Sequence, residues 1–248
     1  MLRTALLYAG LPVLLAMASQ GCEGANKPSE TGGADDTGGG TDADGDGVPA
    51  SADCDDNAPW MWQGQEARDG DAVLSSDAEV RTFCAGSCGL ELGGDLRVQE
   101  TVSDTTALSC LRSVGGAMYI QDDDELSSLS GLTALQSVGT DLEISGDGSL
   151  EDFSGLDALN AVGGTLQIAG NPALSSLTGL SGLRSVGGSL DIEDNVVLTS
   201  VTALYGLTEV RLDVIIADNP ALPNADAVAL VSQIDSIGGD LTVSGNAP

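Results

Sequence analysis

From residue 94 onward the apolar residues return in a fixed order. Seven triplets alternate apolar, variable, apolar. They are Leu96-Arg97-Val98, Met118-Tyr119-Ile120, Leu142-Glu143-Ile144, Leu166-Gln167-Ile168, Leu190-Asp191-Ile192, Val214-Ile215-Ile216 and Leu241-Thr242-Val243. Their first residues are 22, 24, 24, 24, 24 and 27 apart. Alternation with period two predicts a short β-strand whose two apolar residues face inward. A regular period of this length predicts a solenoid, because one coil alone cannot bury its own apolar face.

The rest of each repeat keeps a different period. Leu174, Leu177, Leu180, Leu183 and Val186 are three apart, as are Leu150, Phe153, Leu156, Leu159 and Val162. Three is neither a strand's two nor an α-helix's 3.6, and Gly179, Gly182 and Gly206 interrupt any helix. The spacing predicts short extended pieces joined by corners, each turning one apolar residue inward. Gly163-Gly164 and Gly187-Gly188 then supply the bend before the next strand. Asn171, Asn195, Asn219 and Asn246 follow the strands at a fixed offset, with Asp147 and Asp123 in the equivalent places. Short amides and carboxylates bond to nearby backbone, so stacked copies predict a ladder along one corner. A short helix is expected within residues 225–236, where the final spacing lengthens. About seven coils at ~4.8 Å each give roughly 30 Å of stack.

The chain therefore reads as mainly β, a short right-handed β-helix or solenoid of about seven coils with period 24. The phrase Leu183, Val186, Gly187, Gly188, Leu190, Ile192, Asn195, Leu198 recurs as Leu159, Val162, Gly163, Gly164, Leu166, Ile168, Asn171, Leu174. It resembles the repeat of the receptor L domain, the β-helical ligand-binding domain of insulin-receptor and epidermal-growth-factor-receptor ectodomains, across residues 94–248. The resemblance implies that part of the solenoid surface carries ligand contacts. A leucine-rich repeat is the alternative architecture. Its Asn is followed by Leu after one residue, whereas two residues separate Asn171 from Leu174.

Composition narrows the function. Lys plus Arg is 8 and Asp plus Glu is 38 in 248 residues, a net charge of -30. So acidic a surface repels phosphate, which argues against nucleic acid. There is no His, so the commonest general base and metal ligand is missing. No triad can be built on it, and Glu143 and Asp191 lie two coils apart on a face without a cleft. The expectation is a protein that is not an enzyme.

The first residues, MLRTALLYAGLPVLLAMASQGC, place one Arg before an apolar run from Ala5 to Ala18. This reads as a signal peptide over residues 1–21. Its Gly21-Cys22 ending resembles a bacterial lipoprotein signal, which implies acylation of Cys22 and attachment to the membrane of the cell envelope, at the outer membrane or cell surface. Residues 22–41, rich in Gly, Thr, Ser and Asp, read as a flexible tether. Besides Cys22 four cysteines remain, Cys54, Cys84, Cys88 and Cys110, an even number in an exported chain. A bridge from Cys110 to the segment 72–93, read as an N-terminal cap, would seal the apolar end. Cys54 would take the remaining partner.

Residues 42–71 form an acidic segment. Asp42, Asp44, Asp46, Gly47 and Asp53 match positions 1, 3, 5, 6 and 12 of a calcium loop, with Val48 offering its carbonyl. Carboxylates this close favour a hard cation among them. Together with Gly45, Cys54, Asp55 and Asp56 they resemble thrombospondin type 3 repeats and the short metal-binding modules of bacterial surface proteins. The resemblance implies Ca2+ as a ligand, held with an affinity of ~10⁻⁴ to 10⁻³ M. An acidic linker binding cations loosely is the other reading.

Candidate recognition residues are the variable, outward strand positions: Arg97, Tyr119, Gln121, Glu143, Gln167 and Asp191. Tyr119 beside Gln121 is the expected anchor, because a lone aromatic on a polar face supports recognition. Two functions follow. One is a non-catalytic surface module for a protein or glycan ligand. The other is a structural envelope component with a calcium-stabilised N-terminal segment.

Overall fold

The computed structural model describes residues 66–84 and 89–248. Two parallel sheets of eight strands each run the length of the molecule, and the chain passes from one to the other and back in every coil. It is a right-handed β-helix. The broad sheet holds the seven predicted strands, from Leu96–Thr101 to Leu241–Ser244, and one more, Ala72–Ser76. Equivalent residues lie opposite each other: Leu142, Leu166 and Leu190 are successive partners, as are Ile144, Ile168 and Ile192. Each inward side chain therefore rests on its own copy one coil away. From Leu96 to Ile216 the inward broad-sheet positions are 0–1 % exposed, and one continuous apolar core joins Leu74 to Ile234.

The narrow sheet has strands as short as two residues, such as Ala161–Val162, Ser185–Val186 and Glu209–Val210. The first two are the steps just before the Gly-Gly corners, and Glu209–Val210 precedes Arg211-Leu212 at the equivalent place. Gly163 and Gly187 have no positive φ. Their requirement is proximity: a Cβ on Gly187 would fall onto the carbonyl oxygen of Gly163, one coil earlier. The expected bends are there, and what requires glycine at Gly163 and Gly187 is the close stacking of backbone, not a left-handed conformation.

The period-three leucines are correctly placed and differently built. Leu180 N–H donates to Leu177 O at 3.1 Å and Leu183 N–H to Leu180 O at 3.1 Å; Leu156 and Leu159 repeat the pattern on Phe153 and Leu156. These are successive i→i+3 turns, and in three coils they close into 3₁₀ helices, Thr106–Leu108, Ser130–Leu132 and Thr202–Gly206. Three residues per turn places every third side chain on the same side, which is why Leu174, Leu177, Leu180 and Leu183 are all 0 % exposed.

The corner after each broad-sheet strand carries the amide ladder. The backbone N–H groups of Asp147, Asn171, Asn195 and Asn219 donate to the side-chain oxygens of Asn171, Asn195, Asn219 and Asn246, at 3.0–3.2 Å. Asn171 Nδ2 reaches back to Ile144 O, and Asn195 Nδ2 to Ile168 O, each at 3.0 Å. Each rung so satisfies buried backbone groups of the coil before it. The left-handed residue is the one before the rung, Gly170 (φ 65), Asp194 (φ 57) or Asp218 (φ 54), and not the rung itself.

The N-terminal end is lidded. Helix α1 (Asp77–Phe83) buries Val80 and Phe83 on the first coils. Arg68, in register with the buried Leu92, lies 4.9 Å from the Phe83 ring centroid. Asp77 accepts from Ser103 N, Ser103 Oγ and Asp104 N, tying α1 to the following coil. Those bonds hold its carboxyl below the usual range, the Ser103 backbone bond most of all. Cys84 and Cys110 are bridged, with Cα atoms 5.8 Å apart and a sequence separation of 26. The expected bond from Cys110 to the cap is present. Cys54 and Cys88 lie outside the described residues. Replacing both Cys84 and Cys110 by Ala is expected to cost about 3 kcal/mol, from the entropy of the opened loop. Urea unfolding of the double variant measures it.

Helix α2 (Asn224–Gln233) falls within the expected stretch and buries Ala227 and Leu230. It accounts for the 27-residue final step. Beyond it the last strand is uncovered among the described residues: Leu241 is 52 % exposed, against 0 % for Leu190.

Candidate recognition face

The outward side of the broad sheet is a set of columns. Register places Arg97, Tyr119, Glu143, Gln167, Asp191, Ile215 and Thr242 in one line, successive members ~4.8 Å apart. Gln121 stands beside it, between Gln99 and Ser145. All six recognition candidates therefore share one surface. Glu143 and Asp191 are separated by Gln167, at ~10 Å.

The strand-start column does other work. Asp71 Oδ1 accepts from Asp95 N at 2.9 Å, Asp95 Oδ1 from Ala117 N at 2.8 Å, and Asp141 Oδ1 from Thr165 N at 2.7 Å. Thr165 Oγ1 and Ser189 Oγ continue the series to Ser189 N and Asp213 N, and Asp213 Oδ1 accepts from Asp240 N at 2.7 Å. This is a second ladder, of oxygens receiving the N–H of the next coil. Asp95, Asp141 and Asp213 thus hold the stack together. The signal was available: every residue in that line except Ala117 is a short side chain with an oxygen acceptor.

The middle column has no such duty. At its N-terminal end the Arg97 guanidinium lies 4.0 Å from the centroid of the Tyr119 ring. A stacked cation on an aromatic face contributes about 0.5–1 kcal/mol at an exposed site and keeps both side chains ordered. Glu143 Oε1 accepts from Ser145 Oγ at 3.0 Å. Asp191, between Gln167 and Ile215, keeps its Oδ1 buried with no partner. Burial, then the charges of Glu193 and Asp213, push its carboxyl above the ordinary range. The face thus has a cationic, aromatic end and an acidic middle with an unused acceptor.

The calcium candidates Asp42, Asp44, Asp46, Val48 and Asp53, and the lipidation candidate Cys22, lie outside the described residues. Among the described residues no group of three or more acidic or Cys side chains has metal-holding geometry, and no helix is long and apolar enough to cross a membrane. Comparison of the chain with protein-family models, with curated proteins and with solved structures finds no match in any of the three. The likeness to the receptor L domain rests on the repeat residues alone.

Proposed function

We propose that the protein is a non-catalytic binding module for a protein or glycan, displayed at the bacterial cell surface on a lipid anchor at Cys22. The solenoid is a form suited to a binding scaffold: its ladders fix the backbone, and its outward positions are left to vary. The observation that supports the reading best is the contrast between adjacent columns. The strand-start column is nearly uniform and consumed by backbone bonds. The middle column changes at every coil, from Arg97 on Tyr119 to the unused acceptor of Asp191. A partner offering a carboxylate or aromatic edge to Arg97 and Tyr119 would complete the cationic, aromatic end of that column. Residues 42–71 add a calcium-binding segment between anchor and module.

The test is capture from envelope extract, with and without millimolar calcium, followed by titration of the purified partner. The paired variant Arg97→Ala, Tyr119→Ala is expected to weaken binding at least tenfold while leaving Tm within about 2 °C. Equal affinity of wild type and variant would reject the face. Recovery of only lipid and peptidoglycan-associated material would favour a structural role in the envelope. Calcium-independent capture, with no heat on calcium titration, would remove the metal from the scheme.

A further inference from the structure

The amide ladder contains one rung of the wrong chemistry. Asp147 is 0 % exposed. Its Oδ1 accepts from Asp123 N at 3.1 Å, as the Asn171, Asn195 and Asn219 oxygens do from the preceding rungs. Its Oδ2 is buried with no partner. In the four rungs that follow, the second side-chain atom is Nδ2, which donates to Ile144, Ile168, Ile192 or Ile216 O at 2.8–3.0 Å. Ile120 is in register with Ile144, so the matching group for Asp147 is the Ile120 carbonyl. An ionised carboxylate there would set one acceptor against another in a dry corner, and an uncompensated buried charge is costly.

We propose that Asp147 carries a proton in the folded protein, acts as a neutral donor rung, and makes the seam between Met118–Gln121 and Leu142–Ser145 a pH-sensitive joint. Its surroundings favour the neutral acid. The preceding coil brings Asp122, Asp123 and Asp124 against it; Asp122 and Asp124 carboxylates lie beside Gly146 and Gly148, where a Cβ would collide with them. The following coil brings Asn171 between Gly170 and Pro172, with no charge. Burial first, then those three carboxylates, push the Asp147 carboxyl from 3.8 up to about 8, against the one lowering bond from Asp123 N. Asp123 differs. Burial raises it too, but its two oxygens accept from Val102 N and Glu125 N, so an ionised form is served there.

The pH dependence has a definite sign. An unfolded Asp147 loses its proton near pH 4, whereas the folded one holds it to about pH 8. Between those values the folded state binds more protons, so stability falls as pH rises. The contribution is complete below about pH 4 and gone above about pH 8. The strands on either side of the seam carry Tyr119 and Glu143, so loosening it disturbs the recognition column next to its Arg97–Tyr119 end.

Two measurements on the exported chain test the proposal. In a carbon-detected titration of the aspartate carboxyls, the resonance missing from Asp147→Asn is expected to titrate with a midpoint above 6. In thermal unfolding, Asp147→Asn completes the ladder with a permanent donor. Its Tm is expected to exceed wild type by several degrees at pH 8 and to converge with it at pH 4. A midpoint below 6, or Tm curves that run parallel from pH 4 to 9, overturns the proposal. So does a carboxyl with an ordinary midpoint that shifts only when calcium is added, since the seam would then hold a cation instead of a proton.

Discussion

Asn195→Ala is expected to lower the unfolding free energy by about 3–5 kcal/mol. Asn195 Oδ1 receives Asn171 N at 3.1 Å, and its Nδ2 donates to Ile168 O and Glu193 O at 3.0 and 2.9 Å. Ala leaves the buried Asn171 N–H without an acceptor and removes a donor from the buried Ile168 carbonyl and the part-buried Glu193 carbonyl. A buried group stripped of its partner costs about 1–3 kcal/mol, and the small cavity adds to it. Chemical denaturation reads the total. Hydrogen exchange at the Asn171 amide reads the local part and should lose protection most. Asn246→Ala should cost less than half as much, because Asn246 is only partly buried and its Nδ2 donates to one carbonyl, Ile216 O, where that of Asn195 serves two. Equal costs at the two positions would contradict the ladder.

Gly179→Ala is the second large effect, of about 3–5 kcal/mol, and it has two causes. Gly179 has φ +104, a conformation that L side chains rarely adopt and that costs them about 1–3 kcal/mol. Its Cβ would also fall onto the Phe153 carbonyl oxygen, far inside van der Waals contact, so one coil must shift off the next. Gly170→Ala separates the causes. Gly170 has φ +65 with nothing within 4 Å of the added Cβ, so it should show the backbone cost alone, about 1 kcal/mol. Paired urea titrations give the difference. If both variants lost the same stability, close stacking of coils would not be what demands glycine at position 179.

The particular elements explain what sequence could tell. The strands were legible because alternation in Leu166-Gln167-Ile168 has a single structural meaning. The ladder was legible because Asn recurs at one offset, and amides stacked in register bond to backbone. The period-three run was legible for burial and not for backbone. Extended pieces and 3₁₀ turns both return a side chain inward every three residues, and only the Leu180 N to Leu177 O bond tells them apart. The narrow sheet was invisible because two residues, as in Ser185–Val186, cannot show alternation. The first coil was missed because Ala72–Ser76 starts on a small residue and is followed by α1, which breaks the rhythm. Gly-Gly corners were read as bends, since sequence cannot distinguish a glycine needed for φ from one needed for proximity. Arg211 and Leu212 stand where Gly187 and Gly188 stand one coil earlier. There the Arg211 N to Val186 O bond is 3.1 Å, against 2.8 Å for Gly187 N to Val162 O, so the coil yields slightly. At the recognition face, the shared column of Arg97 and Tyr119 followed from register. The stacking of one on the other, and the diversion of Asp95, Asp141 and Asp213 into a ladder, depend on side-chain geometry that spacing does not encode.

The strict register of the broad sheet makes the molecule modular. Leu142 meets Leu166 on the same terms as Leu166 meets Leu190, so length is counted in whole coils and cannot vary smoothly. A duplication or excision that respects the unit changes reach by one rung and leaves every internal joint as it was. What it does change is the order of letters on the outer face. Gln167 travels with its coil, and a new neighbour for it requires no new fold. Such a stack separates the text of recognition from the paper it is written on, so diversification can proceed by shuffling lines without rebuilding the page.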